Sequence, residues 1–152
     1  MSTDLSRFLD AQAGGTYEQA LRELRAGRKR GHWIWFVLPQ IAGLGRSPTS
    51  QQYAIASLDE ARAYLAHPVL GPRLVECAQA LLDLPGDDPV AVLGSIDAVK
   101  LRSSMTLFAA AGGAPVFRAV LDKYFADSDD PATLARLGLH HEKSEPEGPC
   151  GG

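Results

Sequence analysis

The chain reads as all-α, an irregular single-domain bundle of seven or eight short helices. Three observations carry that expectation. Apolar residues recur at three- and four-residue spacing through most of the chain. Ser, Thr, Asp and Pro stand where helices would begin, and Gly where they would end. No two stretches alternate with the two-residue period that a strand pair needs. At 152 residues one domain is the default, and it can bury enough surface to fold without disulfides or metal.

Asp4 to Gln12 forms a first helix with Leu5, Phe8 and Leu9 on one side. After Gly14-Gly15, Thr16 and Gln19 have the spacing of a capping box. The second helix carries Tyr17, Leu21 and Leu24 inward and ends at Gly27, the expected left-handed cap. Arg28, Lys29 and Arg30 follow at the negative end of its dipole. Trp33 to Leu38 is an unbroken apolar run, which periodicity alone leaves open between helix and strand. With no partner strand in sight, a short helix ending before Pro39 is expected. Gln40 to Gln52, rich in Gly and Ser, reads as loop.

Ser57-Leu58-Asp59-Glu60 is the strongest capping box, opening a helix with Leu58, Ala61 and Leu65 inward. It stops at His67-Pro68, where His67 is expected to cap the next helix. That helix carries Leu70, Leu74, Cys77 and Leu81 on one stripe, to about Leu84. Asp88-Pro89 opens a short helix ending at Gly94. Ile96 to Ala111 follows, with Leu101, Met105 and Phe108 inward. Pro115 opens a helix that buries Phe117, Val120, Leu121 and Tyr124, and Asp130-Pro131 starts a last one toward Leu137. Residues 1–137 are therefore the domain, and 138–152, polar and rich in Gly and Pro, a disordered tail.

A net charge of −3 gives no global basic field for DNA or an anionic membrane. No apolar run approaches the ~20 residues of a membrane-spanning helix. Cys77 and Cys150 have no zinc or redox spacing, so a reducing compartment fits. Residues 1–7 lack the layout of a secretion signal, and a cytoplasmic protein is expected. No cofactor is expected, since metal sets, phosphate-binding loops and nucleophile elbows are all missing.

Two stretches stand out chemically. The first contains Arg28, Lys29, His32, Trp33, Trp35 and Gln40. Cations can hold a phosphate, an indole can stack on a planar ligand, and His32 can titrate near neutrality. Core packing is the commoner fate of large aromatics, and solvation that of a basic triplet after a helix. A buried indole also needs a hydrogen-bond partner, for which Gln40 is a candidate. The second stretch contains Lys100, Arg102, Ser103 and Ser104, with Thr106 beyond. Three hydroxyl residues within four helical positions either admit a close neighbouring helix or, with the two cations, line an anion site. Asp97, Lys100 and Ser104 share a face, and Arg102 points elsewhere.

Together His32-Trp33-Ile34-Trp35-Phe36, Pro39-Gln40 and Gly43-Leu44-Gly45 resemble the domain of unknown function 1810 family. Further matches are Arg7-Phe8, Ala11-Gln12, Tyr53-Ala54-Ile55, Tyr64 through Gly71, and Lys100 through Phe108. The resemblance spans roughly residues 4–137 and implies a helical fold, with no activity or catalytic residue to carry over. Members often bear the label calpastatin. Capped helices with apolar stripes argue against that role, because a calpain-inhibiting segment is a flexible polar chain that orders on its target. A more distant resemblance, to the NADAR proteins of NAD and ADP-ribose chemistry, rests on the spacing of Phe8, Ala11-Gln12 and Tyr17 and on a helix carrying a Met and a Lys.

The expected function is binding of a nucleotide-like or other anionic small molecule between residues 28–40 and the 97–106 helix. One alternative is a hydrolase acting on a glycosidic or phosphate bond of an ADP-ribose-like ligand, for which Glu60 or Asp97 would have to reach the pocket. Another is a protein-interaction module. No DNA or membrane partner is expected, and no protein partner is identifiable.

Overall fold

A computed structural model describes residues 5–45 and 47–139. Ten helices follow one another in that range, with no sheet among the described residues. They are α1 (Ser6–Gln12), α2 (Thr16–Ala26), α3 (Ile34–Val37), α4 (Pro48–Gln52) and α5 (Leu58–Ala66). Then come α6 (Leu70–Asp83), α7 (Pro89–Leu93), α8 (Ser95–Ala110), α9 (Pro115–Phe125) and α10 (Pro131–Arg136). The count exceeds the expected seven or eight, with α4 lying in a stretch expected to be loop. Within the apolar run at 33–38, residues 34–37 form a helix rather than a strand, as the missing partner strand implied.

Helix α8 is the axis of the fold. It packs on α5, α7, α9 and α10, while α6 packs on α2, α5 and α9. From Leu101 to Phe108 every α8 residue except Arg102 is buried, so this half is surrounded rather than laid on a surface. An aromatic chain crosses the core. Phe8 meets Tyr64 edge-on at 5.1 Å, Tyr64 lies 5.3 Å from Phe108, and Phe108 lies 5.9 Å from Phe117. Such pairs tie α1, α5, α8 and α9 together by large-area burial.

Local capping chemistry sets most boundaries. The Ser57 hydroxyl accepts from the Glu60 backbone N–H at 3.1 Å, and Asp88 and Asp130 cap α7 and α10 in the same way. His67 Nδ1 accepts from the N–H groups of Val69 and Leu70, at 3.1 and 3.3 Å, as α6 begins. Gly27 ends α2 in the left-handed conformation (φ 75°).

Three local expectations need correction. Thr16 is inside α2 and makes no side-chain cap, because the left-handed Gly14 and Gly15 already turn the chain and Gly15 takes the cap position. The stretch 40–52 is not all loop: Ser47 accepts from Ser50 N at 3.1 Å and Pro48 opens α4, the same signature as at Asp88-Pro89. In α5 the buried face is Glu60, Ala61 and Tyr64, with Leu58 and Leu65 only partly buried. The buried Glu60 is satisfied by an ion pair with Arg7 at 3.3 Å and by the Ala56 N–H at 2.6 Å.

A single parallel bridge between Ile41 and Ile55 closes the base of the segment that carries α4. Ala42 N donates to Ile55 O and Ile55 N to Gln40 O, both at 2.8 Å. Arg136 of α10 donates to Gly43 O at 3.2 Å and fixes the tip of the same segment. Leu139 N donates back to Leu134 O at 2.8 Å, and the remainder of the expected tail, 140–152, lies outside the described residues. Among the described residues no helix is long and apolar enough to cross a membrane.

Candidate functional site

A cleft of about 740 Å³ opens between the 35–50 segment, the N-terminal half of α8 and the start of α10. The sequence pattern of α8 explains one wall. Ile96, Val99, Lys100 and Ser103 stand at i, i+3, i+4 and i+7 and therefore share a helical face. That face is opposite the buried Leu101, Met105 and Phe108 stripe, and it has no helix packed over it: Ile96 is 72% and Val99 61% exposed. The facing wall is Trp35, Gln40 and Leu44, with Ser47 and Ser50 from the α4 turn. Asp130 and Ala132 close one end. A smaller cavity of about 100 Å³ adjoins it, also lined by Trp35, Gln40 and Ser50, and extends toward Tyr53.

Charge in the cleft is organised by Asp97. Its Oδ2 pairs with Lys29 at 2.6 Å and its Oδ1 with Lys100 at 3.3 Å. Lys29 is the deeper lysine, with 7% of its side chain exposed. It also donates to Gly31 O and lies 5.1 Å from the Trp33 ring, so its ammonium is fully engaged. Lys100 sits 4.3 Å over the Trp35 ring, a cation–π contact that holds it at the cleft wall. Its one hydrogen bond among the described residues goes to Asp97, which leaves donor capacity on the ammonium. Two lysines against one aspartate leave one net positive charge, at Lys100.

Glu23 organises the turn that leads into the site. Its Oε1 accepts from Arg30 N (2.8 Å), Gly31 N (2.9 Å) and Trp33 Nε1 (2.8 Å). Burial alone would raise its pKa. The N–H groups of Gly31 and Arg30, with Gln19 and Trp33, outweigh burial and hold the carboxyl down to about 2. A carboxyl depressed in the folded state contributes stability that is present above its unfolded value and lost as pH falls through the folded one. The stability difference between wild type and Glu23→Gln should therefore be full above the ordinary value of 4.5 and close as pH falls toward about 2. Urea midpoints across that range measure it; a gap independent of pH would contradict the assignment.

The sequence-selected residues separate clearly. Trp35, Gln40, Lys100 and Ser103 meet in the cleft. Lys29 stands behind them as the partner of Asp97. Trp33 is core, 2% exposed, and its indole partner is Glu23 rather than Gln40. Arg28 and His32 are exposed and line neither cavity. Arg102 is spent on the loop before α10, donating to Ser128 O at 3.0 Å and to Asp129 O at 2.6 Å. Ser104 is wholly buried, and its hydroxyl has no hydrogen-bond partner in the described structure. The other hydroxyls serve α10: Ser103 Oγ contacts Asp130 Oδ2 at 2.9 Å, and Thr106 Oγ1 accepts from Asp130 N at 2.9 Å.

Sequence reasoning missed Ile96, Val99, Ser47, Ser50 and Asp130 as cleft residues. The α8 face did carry a signal, since Ile96 and Val99 lie off the core stripe at helical spacing. Asp130 carried only a capping signal, and its second position in the cleft wall depends on tertiary packing. Among the described residues no group of three or more His, Cys, Asp and Glu is placed to hold a metal ion.

An all-helical domain with a large, mainly apolar cleft and a lysine at its wall is the class of molecule this geometry defines. The chain belongs to the DUF1810 family, described as a protein of unknown function, whose sequence profile matches residues 2–137. It is similar to the conserved hypothetical protein Rv1873 from Mycobacterium tuberculosis, known from a crystal structure, at 49% identity. The likeness covers 90% of this chain and 98% of that one, with a TM-score of 0.86. No curated protein matches the chain. Neither match carries a link to calpastatin or to the NADAR proteins.

Proposed function

We propose that the chain is a cytoplasmic binding domain for an anionic small molecule, nucleotide-like in size, held between Trp35 and the Lys100 face of α8. The observation that carries this reading is the meeting of Trp35, Gln40, Lys100 and Ser103 in one cleft of about 740 Å³. Pockets of small-molecule sites have this size and this mixture of apolar wall and few polar groups. Lys100 supplies the anion contact, since it shares Asp97 with Lys29 and its ammonium has donor capacity beyond that pair. Trp35, Leu44, Ile96 and Val99 supply the apolar surface.

The hydrolase alternative called for a carboxylate from Glu60 or Asp97 in the cleft. Glu60 instead pairs with Arg7 and accepts from Ala56 N, and Asp97 lies between two lysines; neither lines the cleft. A protein-interaction module would present a flat apolar patch, whereas Ile96 and Val99 line a concave wall. Binding of a small molecule is thus the better supported reading.

A thermal-shift screen with nucleoside monophosphates, ADP-ribose, sugar phosphates and aromatic carboxylates tests it. A ligand at about one hundred times its Kd should stabilise the fold by about 2.7 kcal/mol. Lys100→Gln should weaken binding about ten- to a hundredfold, the effect of one lost charge-assisted contact. No shift with any of these probes would remove the support for the reading.

A further inference from the structure

Asp130 is the one acidic side chain among the described residues that lines the cleft. Its known work is local: it caps α10, and Thr133 N donates to its Oδ2 at 3.2 Å. The hydroxyls of Thr133 and Ser103 contact the same oxygen, at 2.5 and 2.9 Å. Every hydrogen bond to this carboxylate from the described residues therefore falls on Oδ2, and Oδ1 accepts none. An ionised carboxylate has about four acceptor positions, two on each oxygen. Half of that capacity is unspent at the wall of a cavity large enough for a ligand.

The position of this carboxylate relative to Lys100 is set by α8. Lys100 and Ser103 are three residues apart, a rise of about 4.5 Å along the helix. Ser103 Oγ in turn contacts Asp130. A cation on α8 and a partly unspent acceptor at the cap of α10 thus line the same cleft. Among the described residues the lining holds one positive and one negative side chain, a pairing that suits an anion bearing its own donor.

We propose that Asp130 is the second polar anchor of the cleft and takes a hydrogen-bond donor that the ligand carries beside its anionic group. Resting on the reading of the cleft as a binding site, this narrows the ligand class. The molecule has an apolar body, an anion for Lys100, and an ammonium or hydroxyl for Asp130. Asp130 is then a specificity-determining residue as well as a helix cap.

Asn at position 130 separates the two roles. Asparagine caps a helix as well as aspartate does, so α10 should persist. Its Nδ2 is a donor, however, and meets a ligand donor unfavourably. The probes are 3-phenylpropionate, L-3-phenyllactate and L-phenylalanine, which share a ring and a carboxylate and differ by no donor, a hydroxyl or an ammonium. Calorimetric titration of the wild type should show at least one donor-bearing probe bound about tenfold tighter than phenylpropionate. Which of the two is tighter identifies hydroxyl or ammonium as the donor. In Asp130→Asn that preference should fall to about twofold or less, with an unchanged melting temperature. Equal binding of all three probes to the wild type would overturn this inference and leave the cleft reading standing. A preference that survives in Asp130→Asn would overturn it as well. Absence of binding by all three would overturn this inference, and the cleft reading would then stand or fall on the wider thermal-shift screen.

Discussion

Phe108→Ala is expected to destabilise the fold by about 3–5 kcal/mol, the usual cost of removing a buried phenyl ring and leaving its space partly unfilled. Phe108 is fully buried in the half of α8 that other helices surround. Its ring lies between Tyr64 of α5 and Phe117 of α9, at 5.3 and 5.9 Å. Both neighbours are themselves wholly buried, so neither can swing in from the surface to close the gap. Single domains have about 5–15 kcal/mol of stability in total, so the variant should melt far below wild type. Urea titration reads the effect. A loss under about 1 kcal/mol would mean that the site collapses onto the cavity, and that α8 is not the rigid axis described.

Gly71→Ala is expected to destabilise by about 3 kcal/mol, near the upper end of overpacking costs. The expected sign is informative, because glycine to alanine at a compatible helical position usually stabilises by about 0.4–1 kcal/mol. Gly71 lies in the first turn of α6, immediately after the corner at His67. A Cβ added there would stand 2.1 Å from the Leu65 carbonyl oxygen of α5. That neighbour is backbone at the end of a helix and cannot rotate aside as a side chain could. The two helices must separate, which disturbs the corner that packs α5 against α6. Thermal and urea melts of the variant settle the sign, and a gain in stability would show that the corner is looser than its geometry implies.

The parts of this fold that were legible in the sequence are those fixed within one turn of helix. Ser57, Asp88, Asp130 and His67 each reach a backbone N–H two or three residues ahead, so their spacing carried the information. Ser47-Pro48 carried the same signal but lay among glycines and serines, which hid a five-residue helix. Thr16 had the right spacing and the wrong backbone, because two left-handed glycines moved the helix start forward by one residue. Interactions across the fold were not legible. Nothing local selects Glu23 over Gln40 as the partner of the Trp33 indole, or sends Arg102 to the loop at Ser128. The candidate site was legible as two stretches rich in aromatic and cationic residues. Their division into cleft, core and clamp depended on how α8 is rotated between its neighbours, with one face buried and the face of Ile96, Val99, Lys100 and Ser103 left to the cleft.

Lys100 and Arg102 are two residues apart and point to different sides of the helix. Lys100 lines the cleft, and Arg102 is bound to the backbone of Ser128 and Asp129. The most direct test of the cleft as the binding site is calorimetric titration of a ligand found by the thermal screen into wild type, Lys100→Gln and Arg102→Gln, at a temperature where all three are folded. The predicted result is a loss of about ten- to a hundredfold for Lys100→Gln and unchanged affinity for Arg102→Gln, whatever the latter costs in stability. Wild-type affinity in Lys100→Gln, or an equal loss in both variants, would contradict the placement of the site in this cleft.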